Sequence, residues 1–421
     1  MFPCLVFISC KKESDTYSPQ ITITKPYENQ QFIVGEEISV YVEICDDRML
    51  EYIDVSITDE NFVTAFHGGT YYPENNCYTL NNYIEIDDMQ LLTGNYYILI
   101  KASDGVNETK KFLKIHIAAA PKKINYFLVV TKNENNLSVY KIDSANIVTL
   151  AKTIISDYCG SAVSSDAQQF YVAGNYMGNI SVFSLSDWQQ QWSIPVIVNP
   201  PFPYFEKIDV HASQLYVSYR DGKFEIYNQT GSIITSRVIE NGEYPLKFLP
   251  FNNYLITYEI SPDGLQKHLI AYHVPSMTIY KKILINFEIQ DIYPFDNDNC
   301  LLFCNNGAQG IIKLFTLSSG DVTNKTIHSG IIRNVTRISS SDYLFVSDNA
   351  IWYYNYEAKG ILLWKNAQNC QYIVYDETES NYYYSQDYFN VYKRGLLSSA
   401  LPLVFTFPDT VLTILPVYNK D

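Results

Sequence analysis

The feature that most restricts the fold of this sequence is a repeat of about 40 residues. Residues 208–239 show one repeat clearly, as four short runs of alternating apolar and polar residues separated by turn residues such as Asp221-Gly222 and Thr230-Gly231. Alternation of this kind buries one face of each run. The third run of each repeat ends in an aromatic residue, and these residues follow one another at intervals of 38 to 45 residues: Tyr140, Phe183, Tyr227, Tyr272, Phe315, Tyr354 and Tyr392. Because a lone four-stranded sheet cannot bury both faces whereas a ring of such sheets can, this period predicts a β-propeller.

The repeats indicate seven blades, but the first lacks its innermost strand. Residues 127–130, 137–140 and 147–154 match the second, third and fourth strands, and nothing before them supplies the first. Residues 411–417 form a further strand that no blade uses. We therefore predict that residues 411–417 pair beside residues 127–130 and close the ring without a free edge. The other blades are expected to begin near Gly160, Lys207, Leu246, Gln290, Asn334 and Gln371.

A different strand pattern occupies residues 20–118. Its strands alternate cleanly, and Leu92-Thr93-Gly94-Asn95-Tyr96 is similar to the tyrosine corner of immunoglobulin-like domains. On these residues the segment resembles a bacterial immunoglobulin-like or fibronectin-like module. We therefore predict an all-β protein: an immunoglobulin-like β-sandwich at 20–118, a linker at 119–123, and a seven-bladed β-propeller at 124–421 closed by the C-terminal strand.

The first ten residues, MFPCLVFISC, form a short apolar run that ends in a small residue and a cysteine. This run resembles the end of a bacterial lipoprotein signal peptide, which implies a lipid on Cys10. Residues 1–10 are then a signal-peptide remnant and 11–19 a tether, with the true start expected upstream. The lipid is expected to be the sole membrane anchor and to hold the protein outside the cytoplasm, on the periplasmic face or the cell surface. The alternative is a slightly buried N-terminus.

The cysteines fit an exported protein without forming a disulfide framework. Cys45 and Cys77 are a candidate bridge, and the alternative is that both remain buried free thiols. Cys300 and Cys304 flank one strand, about 13 Å apart, which is too far for a bond.

Charge and motifs exclude several classes of function. The net charge is -15 with no cluster of Lys and Arg, which argues against nucleic acid as a partner. The six histidines are scattered, with none in a metal-ligand spacing, and we expect neither a metal nor a cofactor. Asp209 and His211 alternate on an innermost strand and share one face. They are either an acid-base pair or ordinary polar residues lining the channel.

Some fourth strands carry a tryptophan, most clearly residues 357–364 with Gly360 and Trp364, and more weakly Trp188 to Trp192. They resemble the repeats of pyrroloquinoline-quinone-like propellers, in which this tryptophan docks between blades. Enzymes of that family have eight blades and a vicinal cysteine pair, which this sequence lacks. The resemblance therefore implies the fold and not redox chemistry. The Gly-His and Trp-Asp marks of WD40 blades are also missing from the sequence.

The function hypotheses share one face of the propeller, formed by the loops that join fourth to first and second to third strands. The first hypothesis is a binding or scaffolding lipoprotein for a glycan or protein ligand. The second is a glycan hydrolase or lyase that uses Glu206 and Glu288 as its two carboxylates. The third is a protein-interaction platform. Aromatic rings stack on sugars, and charged groups bind hydroxyls. The candidate ligand-binding residues on these loops are Tyr158, Tyr176, Tyr204, Glu206, Tyr219, Arg220, Tyr244, Glu288, Arg333 and Tyr388.

Overall fold

A computed structural model of the protein describes residues 15–88, 91–134, 136–197 and 203–420. These residues are almost entirely β-strand, with one short 3-10 helix, Glu240–Gly242. The chain divides into two compact units, Met1–Pro121 and Lys122–Asp421. Cys10, the predicted lipidation site, lies outside the described residues.

The described residues of the N-terminal unit form eight strands in two sheets. A three-stranded sheet has the order β1-β3-β6, and a five-stranded sheet has the order β2-β8-β7-β4-β5, in which β2 runs parallel to β8. The strands are β1 (Gln20–Lys25), β2 (Gln30–Ile33), β3 (Glu37–Cys45), β4 (Tyr52–Thr58), β5 (Thr64–Tyr71), β6 (Cys77–Glu85), β7 (Gly94–Ser103) and β8 (Glu108–Ala118).

Alternation in β3 and β4 accounts for the core of this unit. Ile38, Val40 and Val42 of β3 are fully buried, and they belong to the same apolar cluster as Ile53 and Val55 of β4. The intervening residues of β3 are more accessible, which is the pattern of a sheet with one face in a core.

Three local contacts stabilise the sandwich. The Tyr96 hydroxyl donates a hydrogen bond to the Leu92 carbonyl oxygen at 2.9 Å, as the tyrosine-corner pattern predicts. Cys45 and Cys77 face each other on β3 and β6 and form a disulfide, so the bridge and not the pair of free thiols is present. The segment just before β1 contacts the sandwich, because the buried Asp15 carboxylate pairs with Arg48 at 2.8 Å.

The described residues of the C-terminal unit form seven antiparallel sheets of four strands each. Its strands are β9 (Ile124–Asn133), β10 (Asn136–Asp143), β11 (Val148–Ile155), β12 (Gly160–Ser164), β13 (Gln169–Ala173), β14 (Ile180–Ser184), β15 (Gln190–Ile194), β16 (Phe205–His211), β17 (Gln214–Tyr219), β18 (Lys223–Tyr227), β19 (Ile233–Val238), β20 (Tyr244–Phe251), β21 (Tyr254–Ile260), β22 (Lys267–His273), β23 (Thr278–Ile285), β24 (Glu288–Pro294), β25 (Asn299–Asn306), β26 (Gln309–Thr316), β27 (Asp321–His328), β28 (Ile332–Arg337), β29 (Asp342–Ser347), β30 (Ala350–Asn355), β31 (Gly360–Asn366), β32 (Ile373–Asp376), β33 (Asn381–Gln386), β34 (Asn390–Gly395), β35 (Leu403–Thr406) and β36 (Thr410–Tyr418).

Six of these sheets contain four consecutive strands, from β12–β15 to β32–β35, and the seventh has the order β11-β10-β9-β36. The first strands of successive sheets, here called the inner strands, contact one another from β12 through β32. The inner strand β36 contacts both β12 and β32. The loops before the inner strands and those between second and third strands therefore lie at one end of the sheets, here called the top face.

The register between β36 and β9 departs from simple alternation. Val411 pairs with Thr131 and Ile414 with Val129, and a bulge lies between Val411 and Thr413. Strict alternation places Leu412 in the core, but the bulge turns Val411, Ile414 and Val417 inward and leaves Leu412 only partly buried.

Bulges recur near the start of the inner strands. In β16, β20, β24 and β28 the register shifts immediately before Lys207, Lys247, Asp291 and Asn334. These four residues hence occupy equivalent positions on consecutive inner strands.

Trp192 on β15 links two neighbouring sheets. Its indole stacks on Tyr227 of the next sheet at 6.1 Å, and its Nε1 donates to the Gln229 carbonyl oxygen at 2.8 Å. Gly231 adopts φ +80, and a Cβ there would lie 2.8 Å from the indole, so glycine is needed at this contact.

Candidate functional site

Five of the predicted ligand-binding residues come together on the top face, in what we call the Arg220 cluster: Tyr204, Glu206, Tyr219, Arg220 and Tyr244. The Arg220 guanidinium lies 3.3 Å from the Glu206 carboxylate and 4.3 Å from the centre of the Tyr244 ring. Its Nη1 also donates to the Tyr244 hydroxyl. An arginine held by an ion pair and an aromatic ring presents its remaining N–H donors in a fixed orientation.

The fold explains why these residues meet. Arg220 lies in the turn after β17, Glu206 is at the bulge of β16, and Tyr244 begins the next inner strand, β20. The Arg220 backbone N–H donates to the Tyr204 carbonyl oxygen at 3.1 Å and ties this turn to the loop before β16. The cluster thus spans the boundary between two neighbouring sheets.

Burial divides the cluster into supporting and accessible members. Tyr219 and Tyr244 are 1% and 3% exposed, so a ligand on this face does not reach their rings. Tyr219 instead donates to the Glu225 carboxylate at 2.7 Å. Tyr204, Glu206 and Arg220 are partly accessible and form the surface available to a ligand. Burial raises the pKa of Glu206, although the Arg220 charge opposes this shift.

The other five predicted residues lie elsewhere. Tyr176 is 48% exposed, and its backbone N–H donates to the Asp157 carboxylate at 2.5 Å. Tyr158 hydrogen-bonds with the Ser161 hydroxyl at 3.0 Å, and burial raises the pKa of Tyr158. Arg333 is exposed and donates to the Asp348 carbonyl oxygen at 2.8 Å. Tyr388 is 47% exposed in the turn after β33.

Glu288, the last of them, begins β24 and pairs with Lys267 at 3.1 Å. Glu206 lies on β16, and β20 is the inner strand between them. Each carboxylate of this proposed catalytic pair is therefore engaged by a cation.

A second group of polar residues lines the inner strands, and we call it the inner-strand cluster: Lys207, Asp209, His211, Lys247, Asp291 and Tyr293. His211 Nε2 lies 3.5 Å from the Asp209 carboxylate. Lys247 Nζ lies 3.7 Å from the Asp291 carboxylate, which also accepts a hydrogen bond from the Tyr293 hydroxyl at 2.9 Å. The cluster spans three consecutive inner strands, β16, β20 and β24.

The charges of this cluster influence one another. Burial lowers the pKa of Lys207, and repulsion from Lys247 lowers it further. Burial opposes the charge of His211, but the hydrogen bond and charge of Asp209 raise the pKa of His211 above its ordinary value. Burial likewise opposes ionisation of Asp209, but His211 together with the two lysines lowers the pKa of Asp209 to about 2. Asp209 is thus an anion that favours the protonated form of His211.

A third polar group was not anticipated from the sequence. Glu243, 1% exposed, accepts from Lys282 at 3.0 Å and lies 3.2 Å from His268 Nδ1. Glu259 on β21 is completely buried and accepts hydrogen bonds from Thr257 and Tyr272. Burial raises the pKa of Glu259 to about 7 despite these bonds. A pocket of about 400 Å³ borders Glu243, but Glu259 is not among its lining residues.

A charged residue inside the apolar run of β21 is the signal that could have identified Glu259. From the sequence, Thr257 and Glu259 predict that one face of β21 is exposed, but both faces are buried because neighbouring sheets cover them. Within the ranges that the structure describes, the group of acidic side chains close enough to share a metal ion is Asp15, Asp46 and Asp47, and Arg48 already pairs with Asp15.

None of the described residues form a helix with the length and apolar character needed to cross a membrane.

Comparison with known proteins finds similar structures but no similar sequence. No known family model and no curated protein sequence matches this chain. Among solved structures, hydrazine synthase of Kuenenia stuttgartiensis is 9% identical, with 74% of this chain and 93% of that chain covered and a TM-score of 0.50. Dihydro-heme d1 dehydrogenase NirN in complex with DHE is 10% identical, with 70% and 75% covered and a TM-score of 0.46. Sqt1 of Saccharomyces cerevisiae is 13% identical, with 68% and 84% covered and a TM-score of 0.47.

The repeated four-stranded sheets of the C-terminal unit have the arrangement of a β-propeller. At these identities the likeness concerns the fold alone.

Proposed function

We propose that this protein is a binding or scaffolding module that holds a glycan or protein ligand on the top face of its propeller. The observation that carries this proposal is the Arg220 cluster, in which Arg220 is fixed between Glu206 and the Tyr244 ring beside the accessible Tyr204. Preformed polar groups next to an aromatic ring suit sugar hydroxyls as well as polar peptide surfaces.

The proposed architecture is an immunoglobulin-like sandwich followed by a seven-bladed propeller closed by its last strand. The order of the two sandwich sheets and the Tyr96 hydrogen bond to Leu92 support the first part. Pairing of β36 with β9 and the contacts of β36 with β12 and β32 support the second part.

We further propose that a lipid on Cys10 attaches the protein to the bacterial envelope. The support is the run MFPCLVFISC, with Ser9 before Cys10 and polar residues immediately after it. Metabolic labelling with an alkynyl fatty acid should tag the wild type and Cys4→Ala but not Cys10→Ala. Equal labelling of all three proteins would rule out Cys10 as the site.

The alternative, a glycan hydrolase or lyase, has weaker support. Such an enzyme needs two carboxylates that reach the substrate. Glu206 and Glu288 are held in ion pairs, and Glu259 is 0% exposed. We therefore favour binding without turnover.

A glycan array probed with full-length Cys10→Ala protein tests the proposed ligand site. Any glycan bound by this protein should bind at least about tenfold more weakly to Arg220→Met, because the loss of one charged anchor costs about 1.4 kcal/mol or more. The matched control is Lys359→Met, which removes an exposed cation from the turn between β30 and β31. Incubating each bound glycan with the protein and looking for shortened products tests the enzyme alternative.

A protein ligand would be sought by crosslinking in cells with the same two variants. If Arg220→Met retains every ligand of the parent protein while substitutions at the opposite end of the sheets abolish binding, the assignment to the top face is wrong.

A further inference from the structure

A pocket of about 150 Å³ lies between the sheet β28–β31 and the sheet β32–β35. It is lined by Trp364, Tyr382, Arg394 and Leu396. Trp364 belongs to β31 of the first sheet, whereas Tyr382 lies on β33 and Arg394 on β34 of the second, with Leu396 just after β34. The loop that follows β34 joins a third strand to a fourth, so this pocket lies at the end of the sheets opposite to the top face.

Strand register brings the lining residues together. Tyr382 and Arg394 pair directly across β33 and β34, so their side chains project from the same face of the sheet. Leu396 follows two residues after Arg394 and lies on that side as well. Trp364, Tyr382 and Leu396 belong to one apolar cluster formed by the two sheets. The walls of the pocket are therefore held in place by the packing between the sheets.

Arg394 is a fixed cation that faces the pocket. Its Nε and Nη2 both donate to the Ser398 carbonyl oxygen, at 3.2 and 3.0 Å. Among the described residues, Nη1 has no hydrogen-bond acceptor and no carboxylate forms an ion pair with the guanidinium. Arg394 is partly accessible. It therefore offers oriented N–H donors to a molecule in the pocket.

A second cation makes the surroundings of the pocket positive. Lys365 Nζ lies 5.0 Å from the centre of the Tyr384 ring, and within the part of the chain that the structure describes it pairs with no carboxylate. Burial lowers the pKa of Lys365, and repulsion from Arg394 lowers it further. This local positive charge contrasts with the net charge of -15 of the whole chain. An anion in the pocket would be attracted by both side chains.

The lining side chains select a ligand that accepts hydrogen bonds. Their polar groups are the Trp364 indole N–H, the Tyr382 hydroxyl and the Arg394 guanidinium, each of which can donate. Burial raises the pKa of Tyr382, and Trp364 and Arg394 oppose this shift, so the hydroxyl keeps its proton at neutral pH. In the described part of the chain, no carboxylate or carboxamide side chain lines the pocket.

Charge, shape and size narrow the ligand further. One cation lines the pocket and balances a single negative charge, and a guanidinium matches the two oxygens of a carboxylate. Leu396 and the aromatic rings give the pocket apolar walls. Pockets for drug-sized ligands have volumes of about 300 Å³ or more, so this smaller pocket suits a small molecule or the end of a larger one.

We propose that this pocket binds the carboxylate group of a small organic acid with an apolar body. Arg394 pairs with the carboxylate, the Tyr382 hydroxyl donates a hydrogen bond to it, and Trp364 and Leu396 contact the apolar part. This site goes beyond the proposed ligand site on the top face and shares no residue with the Arg220 cluster.

Calorimetric titration of full-length Cys10→Ala protein with benzoate tests the proposal. Benzoate combines a carboxylate with an apolar ring and should bind. Benzamide has the same shape without the charge, and acetate and inorganic phosphate have charge without the apolar ring, so each should bind at least tenfold more weakly. Absence of benzoate binding, or binding of benzamide or phosphate as tightly as benzoate, would overturn the proposal.

Variants locate the binding site. Arg394→Met should lose at least tenfold in affinity for benzoate, because the charge partner is removed. The matched control is Lys359→Met, which removes an exposed cation at the same end of the neighbouring sheet and should bind benzoate as the parent does. Equal binding by Arg394→Met, or an equal loss with Lys359→Met, would show that benzoate does not occupy this pocket.

Thermal melting separates ligand binding from a structural role of Arg394. Benzoate should raise the melting temperature of the parent and of Lys359→Met, and not that of Arg394→Met. If Arg394→Met does not fold, Tyr382→Phe decides, because it removes the hydroxyl and keeps the ring. Folded Tyr382→Phe should bind benzoate at least threefold more weakly than the parent, and unchanged affinity would overturn the proposal.

A short peptide distinguishes a free acid from the C-terminus of a polypeptide. N-acetyl-alanyl-phenylalanine carries an apolar side chain next to a free carboxylate, and its C-terminal amide lacks the charge. Binding of the peptide acid more tightly than benzoate, lost in the amide and in Arg394→Met, assigns the pocket to a polypeptide C-terminus. Tighter binding of benzoate than of the peptide acid assigns it to a free organic acid.

Discussion

Asp209 controls the protonation of His211. Its carboxylate lies 3.5 Å from Nε2 and raises the pKa of His211 against the effect of burial. Asp209→Asn should therefore lower the pKa of His211 below its ordinary value of about 6.5, since burial then dominates. The Cε1 proton shift of His211, followed by NMR between pH 4 and 9, measures this change. The exposed His273 is the internal control, and an unchanged His211 titration would contradict the pairing.

The same pair makes stability depend on pH. A folded-state pKa above the unfolded value contributes stability below the unfolded pKa, and this contribution is lost as the pH rises through the folded pKa. Asp209→Asn should consequently destabilise the protein more at pH 5 than at pH 8.

Glu259 should also make the free energy of unfolding depend on pH, below about pH 7. Its pKa is 4.5 ordinarily and about 7 in the folded protein, so the folded state keeps a proton that the unfolded chain has lost. The free energy of unfolding therefore decreases between about pH 4.5 and 7 and stays lower above. Glu259→Gln should remove this decrease and be more stable relative to wild type at pH 8 than at pH 5, by on the order of 2 kcal/mol.

Urea unfolding at the two pH values measures the difference. Glu357→Gln on the exposed turn after β30 is the matched control. A Glu259→Gln protein with the same pH dependence as wild type would show that Glu259 is ionised in the fold.

Sequence reasoning identified single residues better than their partners. Alternation along β16 correctly predicted that Asp209 and His211 share a face, and they form a pair. It did not predict that Lys207, Lys247 and Asp291 meet, because this depends on bulges that place distant residues at equivalent positions. Burial of Tyr244 beneath Arg220 was also missed, since loop position alone does not tell which of two side chains covers the other.

Among the contacts between neighbouring sheets, Trp192 links the sheet β12–β15 to the sheet β16–β19. It stacks on Tyr227 and donates to the Gln229 carbonyl oxygen at 2.8 Å. Trp192→Ala should lower the free energy of unfolding by about 2 to 4 kcal/mol, because packing and a hydrogen bond are both lost. Trp192→Phe keeps part of the packing and should lose about half as much.

Chemical denaturation of both variants checks this prediction. Ile234→Ala on the neighbouring β19, where the side chain is 51% exposed, should change the free energy of unfolding by less than about 0.5 kcal/mol. Equal effects of Trp192→Ala and Ile234→Ala would mean that the indole does not join the sheets.

Strand existence was predictable, and strand register was not. The starts predicted for the six later blades lie within two residues of β12, β16, β20, β24, β28 and β32, because turn residues and alternation mark each strand. The alternation of residues 411–417 does not show the bulge between Val411 and Thr413, which leaves Leu412 partly buried against the core. Bulges have no reliable mark in one sequence and are fixed by the neighbouring strand.

For the whole propeller, β36 is the strand on which stability should depend most. Val411, Ile414 and Val417 are buried in its pairing with β9. Removing residues 410–421 exposes these contacts, at about 1.5 to 3 kcal/mol for each aliphatic side chain, against a typical total stability of about 5 to 15 kcal/mol. The truncated protein should aggregate or lose its cooperative transition in circular dichroism melts.

Removing only residues 420–421 leaves β36 complete and serves as the control. A protein lacking residues 410–421 that melts cooperatively at the wild-type temperature would exclude β36 from the ring, and the proposed seven-bladed closure with it.

Because β36 pairs with β9, the sheet that contains β9 is completed only after β36 has been synthesised. At about 5 to 20 residues per second, the ribosome needs roughly 15 to 60 seconds to proceed from the end of β9 to the start of β36. During that interval the sheet of β9, β10 and β11 has an open edge, which can pair with other nascent chains. Codons that slow translation ahead of residue 410 lengthen this interval and should therefore increase aggregation.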